Sequence, residues 1–196
     1  MMTNVYFVRH AQSDKTWQGG DRTRPLTKEG LADSAEVTRA LSCKGITRIY
    51  SSPYTRALQT VSGLSQALGL PVREAEGLRE RNAGSWQGEN FLRFIEAQWA
   101  DFNYHIADGE CLADVQERNI AALKEALSEC AGETIAVGTH GTALSTIINY
   151  YRPQFGFADF MRIIDYMPYV VEMTFDDNGG LYGMKDILII KKEYKR

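Results

Sequence analysis

The sequence predicts an α/β fold in which a mainly parallel sheet carries helices on both of its faces. Short continuous apolar runs at residues 5–8, 46–50 and 134–137 have the pattern of strands that are buried on both sides. Segments with helical periodicity alternate with these runs along the chain. This alternation of strands and helices is typical of a mainly parallel sheet.

The expected helices have recognisable start and stop signals. Thr27 is predicted to cap the first helix. For the second helix, Ser52 is predicted as the N-cap, Pro53 as the first helical residue and Gly69 as the end. The expected helices span residues 27–43, 53–68, 110–130 and 141–151.

The remaining segments complete the α/β pattern. Alternating apolar and polar residues at 171–175 predict a half-exposed strand, and a tight turn at 177–180 leads into a last strand through 187–190. Residues 71–78 are predicted to form a strand followed by a loop. Residues 89–108 are aromatic and irregular, so we expect a helical insertion or lid there.

Length and composition favour a single domain, residues 1–196, of a cytoplasmic protein. The chain has 196 residues, 44% of them apolar, and a formal net charge of −3, which gives no basic surface for nucleic acid or membrane. No apolar run approaches the roughly 20 residues that span a bilayer, and no leader pattern precedes the first strand. Cys43, Cys111 and Cys130 are widely spaced, which favours free thiols in a reducing compartment over disulfides or a zinc site.

Three predicted strands end in residues that suit phosphate chemistry. The first runs into Arg9-His10, and a later one runs into His140-Gly141. Arg56 lies in the first turn of the helix after the second strand, where its side chain leans back toward the sheet edge. Each feature alone is more often structural. Ligands bind beyond the carboxyl ends of parallel strands, however, so convergence on one site is the better joint explanation.

Such a cluster suits a phosphate dianion. The guanidinium groups of Arg9 and Arg56 can bind phosphate oxygens bidentately. A neutral imidazole can attack phosphorus, and a protonated one can stabilise the phosphate oxygens. Phosphoryl transfer needs mainly positioning and charge neutralisation, so no metal or other cofactor is expected. A metal site on His10 and His140 ranks below this interpretation because the arginines would repel a cation.

A proton donor for the leaving oxygen is still required. Glu80 is the best candidate, because it follows the strand and loop at 71–78 and a carboxyl group there can act as a general acid. The alternative is a surface glutamate paired with Arg79 or Arg81. The local sequence favours neither interpretation over the other.

Five sequence blocks occur in the order and spacing of a known family. They are Arg9-His10-Ala11-Gln12-Ser13 with Pro25-Leu26-Thr27 and Gly30, Ser51-Ser52-Pro53-Tyr54-Thr55-Arg56-Ala57-Leu58-Gln59-Thr60, Leu78-Arg79-Glu80 with Gly84-Ser85-Trp86-Gln87-Gly88, Gly109-Glu110, and Thr139-His140-Gly141. Over residues 5–141 the chain resembles branch 1 of the histidine phosphatase superfamily, the phosphoglycerate mutase-like family. No single block is decisive, whereas five in order are very specific.

The resemblance implies a three-layer α/β/α sandwich and a role for each matched residue. His10 would be the nucleophile that becomes phosphohistidine. Glu80 would be the proton donor and then the base that activates the hydrolytic water. The other phosphate ligands would be Arg9, Arg56, His140 and Gly141.

Two departures from the family pattern lie close to His10, and the second of them weakens any transfer of the mutases' substrate contacts. Ala11 replaces the glycine that usually follows the nucleophile, and residues 14–16 are Asp-Lys-Thr where mutases usually have Glu-Trp-Asn. Mutases of the family also carry a longer insertion with adjacent basic residues, whereas this chain has one, Arg93, between Glu89 and Glu117. Hydrolysis is therefore the favoured prediction. Phosphoglycerate mutase activity is the alternative, and a non-catalytic phosphate-binding protein is a third.

The expected partner is a small phosphorylated metabolite, with a phosphopeptide second. Ser13, Thr16 and Arg22 follow the nucleophile and are candidates for contacts with the rest of the substrate, although a solvated loop explains them equally well. The predicted edge strand at 71–78 suits pairing across a dimer, but nothing in the sequence requires a dimer.

Overall fold

The computed structural model describes residues 1–85 and 91–192, and within them six strands form one mixed sheet. The strand order is β3-β2-β4-β1-β5-β6. Strands β1 to β4 pair in parallel, while β5 is antiparallel to both of its neighbours. The mainly parallel sheet is therefore confirmed. The strands are β1 Thr3–Arg9, β2 Arg48–Ser51, β3 Val72–Glu74, β4 Thr134–Thr139, β5 Tyr166–Phe175 and β6 Leu181–Lys191.

Helices cover both faces of this sheet, which confirms the three-layer α/β/α arrangement. One apolar core lies between the sheet and helices α4, α5 and α6, and a second lies between the sheet and helices α1 and α2. No helix in the described ranges is both long and apolar enough to cross a membrane. The helices are α1 Lys28–Leu41, α2 Thr55–Leu68, α3 Phe91–Ala100, α4 Leu112–Glu129, α5 Gly141–Tyr151 and α6 Phe157–Ile163.

Strand β1 is buried on both faces, which explains why its apolar residues do not alternate with polar ones. Val5 and Phe7 enter the core beneath α4 and α5, whereas Tyr6 and Val8 enter the core beneath α1 and α2. Because successive side chains point to opposite faces of a strand, a strand between two helical layers must be apolar throughout. This central position holds the end of β1, and with it the residues that follow, in a fixed place.

The predicted caps at Thr27 and Gly69 are confirmed, whereas α1 ends at Leu41 instead of residue 43 and the start of α2 differs from the prediction. The Thr27 hydroxyl accepts a hydrogen bond from the Gly30 amide, and Gly69 ends α2 with a left-handed φ of 65°. The prediction that Ser52 caps α2 is wrong, because the helix begins two residues after Pro53 and Tyr54 occupies the N-cap position. The Ser52 hydroxyl is instead directed at a histidine of the site described below.

Helix α3 lies within the predicted insertion. It packs against α6 through Trp99 and Phe160, whose ring centroids are 5.7 Å apart. A role for this segment as a lid stays a prediction. Residues 89–90 of the predicted insertion, and 86–88 of the third sequence block, lie outside the described residues.

Candidate active site

A cleft lies where the predicted residues converge. Strands β2, β4 and β1 are adjacent and run in the same direction, so their carboxyl ends meet at one edge of the sheet. The cleft has a volume of about 680 Å³. Its lining includes Arg9, His10, Arg56, Glu80 and Gly141.

The two ring nitrogens of His10 have different surroundings. Its Nδ1 atom lies 2.7 Å from the carbonyl oxygen of Ala11. Because a carbonyl oxygen only accepts, Nδ1 carries the hydrogen, and Nε2 of the neutral ring keeps its lone pair. Burial, followed by the charges of Arg56 and Arg9, holds the pKa of His10 well below its usual value. The ring is therefore neutral near pH 7, which is the nucleophilic form.

Arg9 is buried and fixed by main-chain oxygens. Its Nη1 atom donates to the carbonyl oxygens of Ile163, at 2.5 Å, and Tyr166, at 3.0 Å. The guanidinium group lies over Gly141, where an added Cβ would come within 3.2 Å of two of its nitrogen atoms. The absence of a side chain at Gly141 thus lets the start of α5 approach this arginine.

Arg56 reaches the cleft from the first turn of α2, as the lean of helical side chains predicts. Its side chain is 1% exposed, and its guanidinium group lies 4.9 Å from the centroid of the Tyr54 ring. Two of its nitrogens donate to Asp21, one to the backbone oxygen and one to the carboxylate. Its Nε atom is buried and has no hydrogen-bond partner among the described residues.

His140 lies beside His10 at the N-cap of α5 and, unlike His10, is not among the residues that line the cleft. Its ring centroid is 5.3 Å from that of His10, and the residue is fully buried. Nε2 lies 2.7 Å from the hydroxyl oxygen of Ser52, whereas Nδ1 has no partner among the described residues. Burial, then the charges of Arg56 and His10, lowers the pKa of His140 well below its usual value. Sequence reasoning missed the contact with Ser52, although Ser52 follows β2 at the same edge of the sheet at which His140 follows β4.

Glu80 lies at the N-terminus of α5. Its carboxylate accepts hydrogen bonds from the amides of Thr142 and Ala143, each at 3.2 Å, and from the amide of Arg81 at 2.8 Å. Arg79, one of the two ion-pair partners considered from the sequence beside Arg81, binds Glu110 instead, and backbone amides hold the Glu80 carboxylate. The carboxylate thus lies at the cleft that Arg9, His10 and Arg56 also line.

A half-buried ion-pair cluster behind Glu80 fixes its loop, and local sequence gave no sign of it. Arg118 donates to the carbonyl oxygens of Arg79 and Glu80 and also pairs with Glu110. Arg79 pairs with the same carboxylate at 2.6 Å. Burial alone would raise the pKa of Glu110, but hydrogen bonds from Arg79, Arg118 and the Asn82 amide lower it to about 2.

Replacing Glu110 by Gln is expected to destabilise the fold in a pH-dependent way. Because the folded-state pKa lies below the usual 4.5, the ion pairs stabilise the fold above about pH 4.5 and lose that contribution as the pH falls toward 2. The shift corresponds to about 3 kcal/mol at pH 7. Urea unfolding at pH 7 and pH 3 measures it, with Glu36→Gln, which breaks an exposed pair, as the control. An equal loss at both pH values would contradict this account.

The segment after His10 contributes only part of the predicted substrate contacts. Ser13 and Thr16 line the cleft, whereas Arg22 does not. The Arg22 guanidinium binds both carboxylate oxygens of Glu76 at 2.8 Å, which keeps it outside the lining. Lys15 and Arg24 of the same segment do line the cleft.

Comparisons with known proteins indicate the family of the chain. The family model described as histidine phosphatase superfamily (branch 1) matches residues 5–182. The chain is 30% identical over 161 residues to the probable phosphoglycerate mutase GpmB of Yersinia pestis (strain Pestoides F), covering 76% of this chain and 74% of that protein.

Solved structures show the same fold. A mycobacterial glucosyl-3-phosphoglycerate phosphatase superposes with a TM-score of 0.75 at 18% identity, covering 98% of this chain and 100% of the other. A phosphoserine phosphatase mutant from Entamoeba histolytica, solved with phosphoserine, superposes with a TM-score of 0.73 at 20% identity, covering 93% and 96%. The resemblance read from the five blocks is thus confirmed, and the chain belongs to branch 1 of the histidine phosphatase superfamily.

Proposed function

We propose that this protein is a metal-independent phosphatase that hydrolyses phosphate monoesters of a small metabolite through a phosphohistidine on His10. The observation that carries the proposal is the state of the His10 ring. The Ala11 carbonyl fixes the hydrogen on Nδ1, and burial beside Arg9 and Arg56 keeps the ring neutral. A neutral imidazole beside two fixed cations is what an in-line attack on a phosphate dianion needs.

In the first step the substrate phosphate is bound by Arg9 and Arg56, and Nε2 of His10 attacks the phosphorus atom. The bond from phosphorus to the ester oxygen breaks, and the leaving oxygen takes a proton from the carboxyl group of Glu80. The arginines neutralise the charge on the phosphoryl oxygens. The products are the free alcohol, a phosphohistidine at His10 and an ionised Glu80.

In the second step water replaces the alcohol in the cleft. The Glu80 carboxylate takes a proton from this water, whose oxygen attacks the phosphorus atom. The bond from phosphorus to Nε2 breaks, which releases inorganic phosphate and restores neutral His10 and protonated Glu80. The same carboxyl group thus serves both steps.

Fixed side-chain cations take the place of a metal ion in this scheme. Arg9 and Arg56 are at most 5% exposed, and the charges of both lower the pKa of His10. A divalent cation at His10 and His140 would be repelled by the same charges. We therefore expect full activity in the presence of a chelator.

Phosphoglycerate mutase activity is the second candidate, because a relative with 30% identity is named a probable phosphoglycerate mutase. A mutase must hold the second anionic group of its substrate while the phosphoryl group moves. Arg93 is the one basic residue between Glu89 and Glu117, where the mutases carry adjacent basic residues. This scarcity of positive charge supports hydrolysis.

The test is to assay hydrolysis of p-nitrophenyl phosphate from pH 4 to 9, with and without EDTA, beside a coupled assay for interconversion of 2- and 3-phosphoglycerate. Hydrolysis that survives EDTA, without interconversion in the presence of a bisphosphorylated primer, is the expected result. Interconversion faster than hydrolysis would establish the mutase. Phosphate binding without either activity would establish the non-catalytic protein.

A further inference from the structure

The segment between β1 and α1 places an acid on the arginines of the cleft. The Asp21 carboxylate lies 3.1 Å from Nη2 of Arg56 and 2.7 Å from Nη2 of Arg24, one oxygen to each. The backbone oxygen of Asp21 lies 2.7 Å from Nη1 of Arg56. One carboxylate therefore bridges two guanidinium groups, as two oxygens of a phosphate group can do.

Arg56 and Asp21 differ in their exposure to solvent. Arg56 is 1% exposed, so its charge is costly without an anion beside it. Asp21 is 50% exposed and lies on a connecting segment, so its carboxylate can move into water at little cost. Arg56 also keeps a buried Nε donor with no partner among the described residues. The carboxylate thus leaves part of the hydrogen-bonding capacity of this arginine unused.

The segment that carries Asp21 is held at its base and also beside Asp21, where the Thr55 amide donates to the Arg22 carbonyl. The Asp14 amide donates to the Pro25 carbonyl, and the Thr27 amide donates to the Gln12 carbonyl. Gly20, directly before Asp21, has a φ of 89°, a conformation that glycine adopts readily. A rotation of the half-exposed Asp21 side chain can withdraw its carboxylate into water while these backbone hydrogen bonds stay in place.

Arg24 is close enough to act on the catalytic groups. It lines the same cleft as His10, and its charge, after burial and the charges of Arg56 and Arg9, contributes to the lowered pKa of His10. The structure gives Arg24 the same anionic partner as Arg56.

We propose that Asp21 is an internal anion that occupies part of the phosphate site in the free protein, and that phosphate displaces it and is then bound by Arg24 as well as by Arg9 and Arg56. This inference rests on the proposed function of the cleft. Asp21 acts as a competitor, since every phosphate that binds must first remove its carboxylate. The apparent affinity for phosphate is therefore lower than the affinity of the open site.

Calorimetric titration with inorganic phosphate tests whether Asp21 competes with phosphate for the site. Asp21→Asn removes the charge and keeps the backbone oxygen that holds Arg56, so phosphate binding is expected to tighten about tenfold. This is the factor that applies when about one molecule in ten has an open site. Glu76→Gln is the matched control, because Glu76 pairs with Arg22 of the same segment outside the cleft, and its phosphate affinity should match the wild type.

Arg24→Gln is expected to weaken phosphate binding at least tenfold, whereas Arg73→Gln, at an exposed ion pair remote from the cleft, should leave it unchanged. Thermal unfolding of each variant, and of Asp21→Ala as a second replacement, checks the fold.

Unchanged or weaker phosphate binding in both Asp21 variants would overturn the proposal that Asp21 competes with phosphate, because Asp21 would then serve to position Arg56. Equal tightening in Glu76→Gln would also overturn it. If neither the wild type nor the Asp21→Asn variant binds phosphate, the proposed function itself is overturned.

Discussion

His10→Ala is expected to reduce kcat for phosphate monoesters on the order of 10⁶-fold, by analogy with removal of the nucleophile in other covalent mechanisms. The physical reason is that the variant lacks the Nε2 lone pair that attacks phosphorus in the proposed mechanism. Arg9 and Arg56 still bind the phosphate group, so phosphate affinity should survive in the variant. Steady-state kinetics with p-nitrophenyl phosphate and phosphate titration measure the two quantities separately.

His105 offers a matched control for His10. Its Nδ1 atom also contacts the carbonyl oxygen of the following residue, at 2.9 Å, but His105 is exposed and absent from the cleft lining. His105→Ala should therefore keep wild-type activity. His10→Gln preserves more side-chain volume than His10→Ala and guards against a cavity effect. Appreciable turnover in a folded His10 variant would place the nucleophile elsewhere.

Glu80→Gln is expected to have the second largest effect, and the effect should depend on the leaving group. For alkyl phosphates kcat/KM should fall about 10²- to 10⁴-fold, the usual worth of a general acid. For aryl phosphates, whose leaving groups need little protonation, the fall should be much smaller. Because kcat/KM covers only the steps up to phosphohistidine formation, the comparison isolates the role as acid.

The role as base predicts a second signature in the same variant. Without the Glu80 carboxylate, water attacks the phosphohistidine slowly, so p-nitrophenyl phosphate should give a burst of p-nitrophenol followed by a slow steady state. Glu76→Gln, four residues earlier in the chain, should behave as the wild type toward both substrate classes. Equal losses of kcat/KM for alkyl and aryl phosphates would mean that Glu80 only shapes the start of α5, whose amides it binds.

Local sequence signals found the residues that stand at strand ends. A buried strand followed by a polar pair is visible in a short window, and adjacent parallel strands bring such ends together without further information. His10, Arg56 and His140 were placed in this way, and the structure brings their side chains to one edge of the sheet. The family resemblance then added weight to Glu80, for which the local sequence was neutral.

Contacts between segments that are distant in the sequence could not be predicted in the same way. The pairing of Asp21 with Arg56 joins two segments 35 residues apart, and the contact of Ser52 with His140 spans 88 residues. Ser52 was predicted as a helix cap because serine before a helical segment usually is one, and tertiary contacts overrode that preference. Arg22 was a candidate for substrate binding, but its neighbour Glu76 became visible only once β3 and its following turn were placed.

The most direct test of the central claim is to find the phosphoryl group on the protein. The Glu80→Gln variant is mixed with p-nitrophenyl phosphate, quenched in alkali, where phosphohistidine is stable, and mapped by peptide mass spectrometry. The account predicts one phosphoryl group, on the peptide that contains His10, appearing within the burst and absent from Glu80→Gln combined with His10→Ala. A phosphoryl group on any other residue, or turnover by this variant with no label on His10, would contradict it.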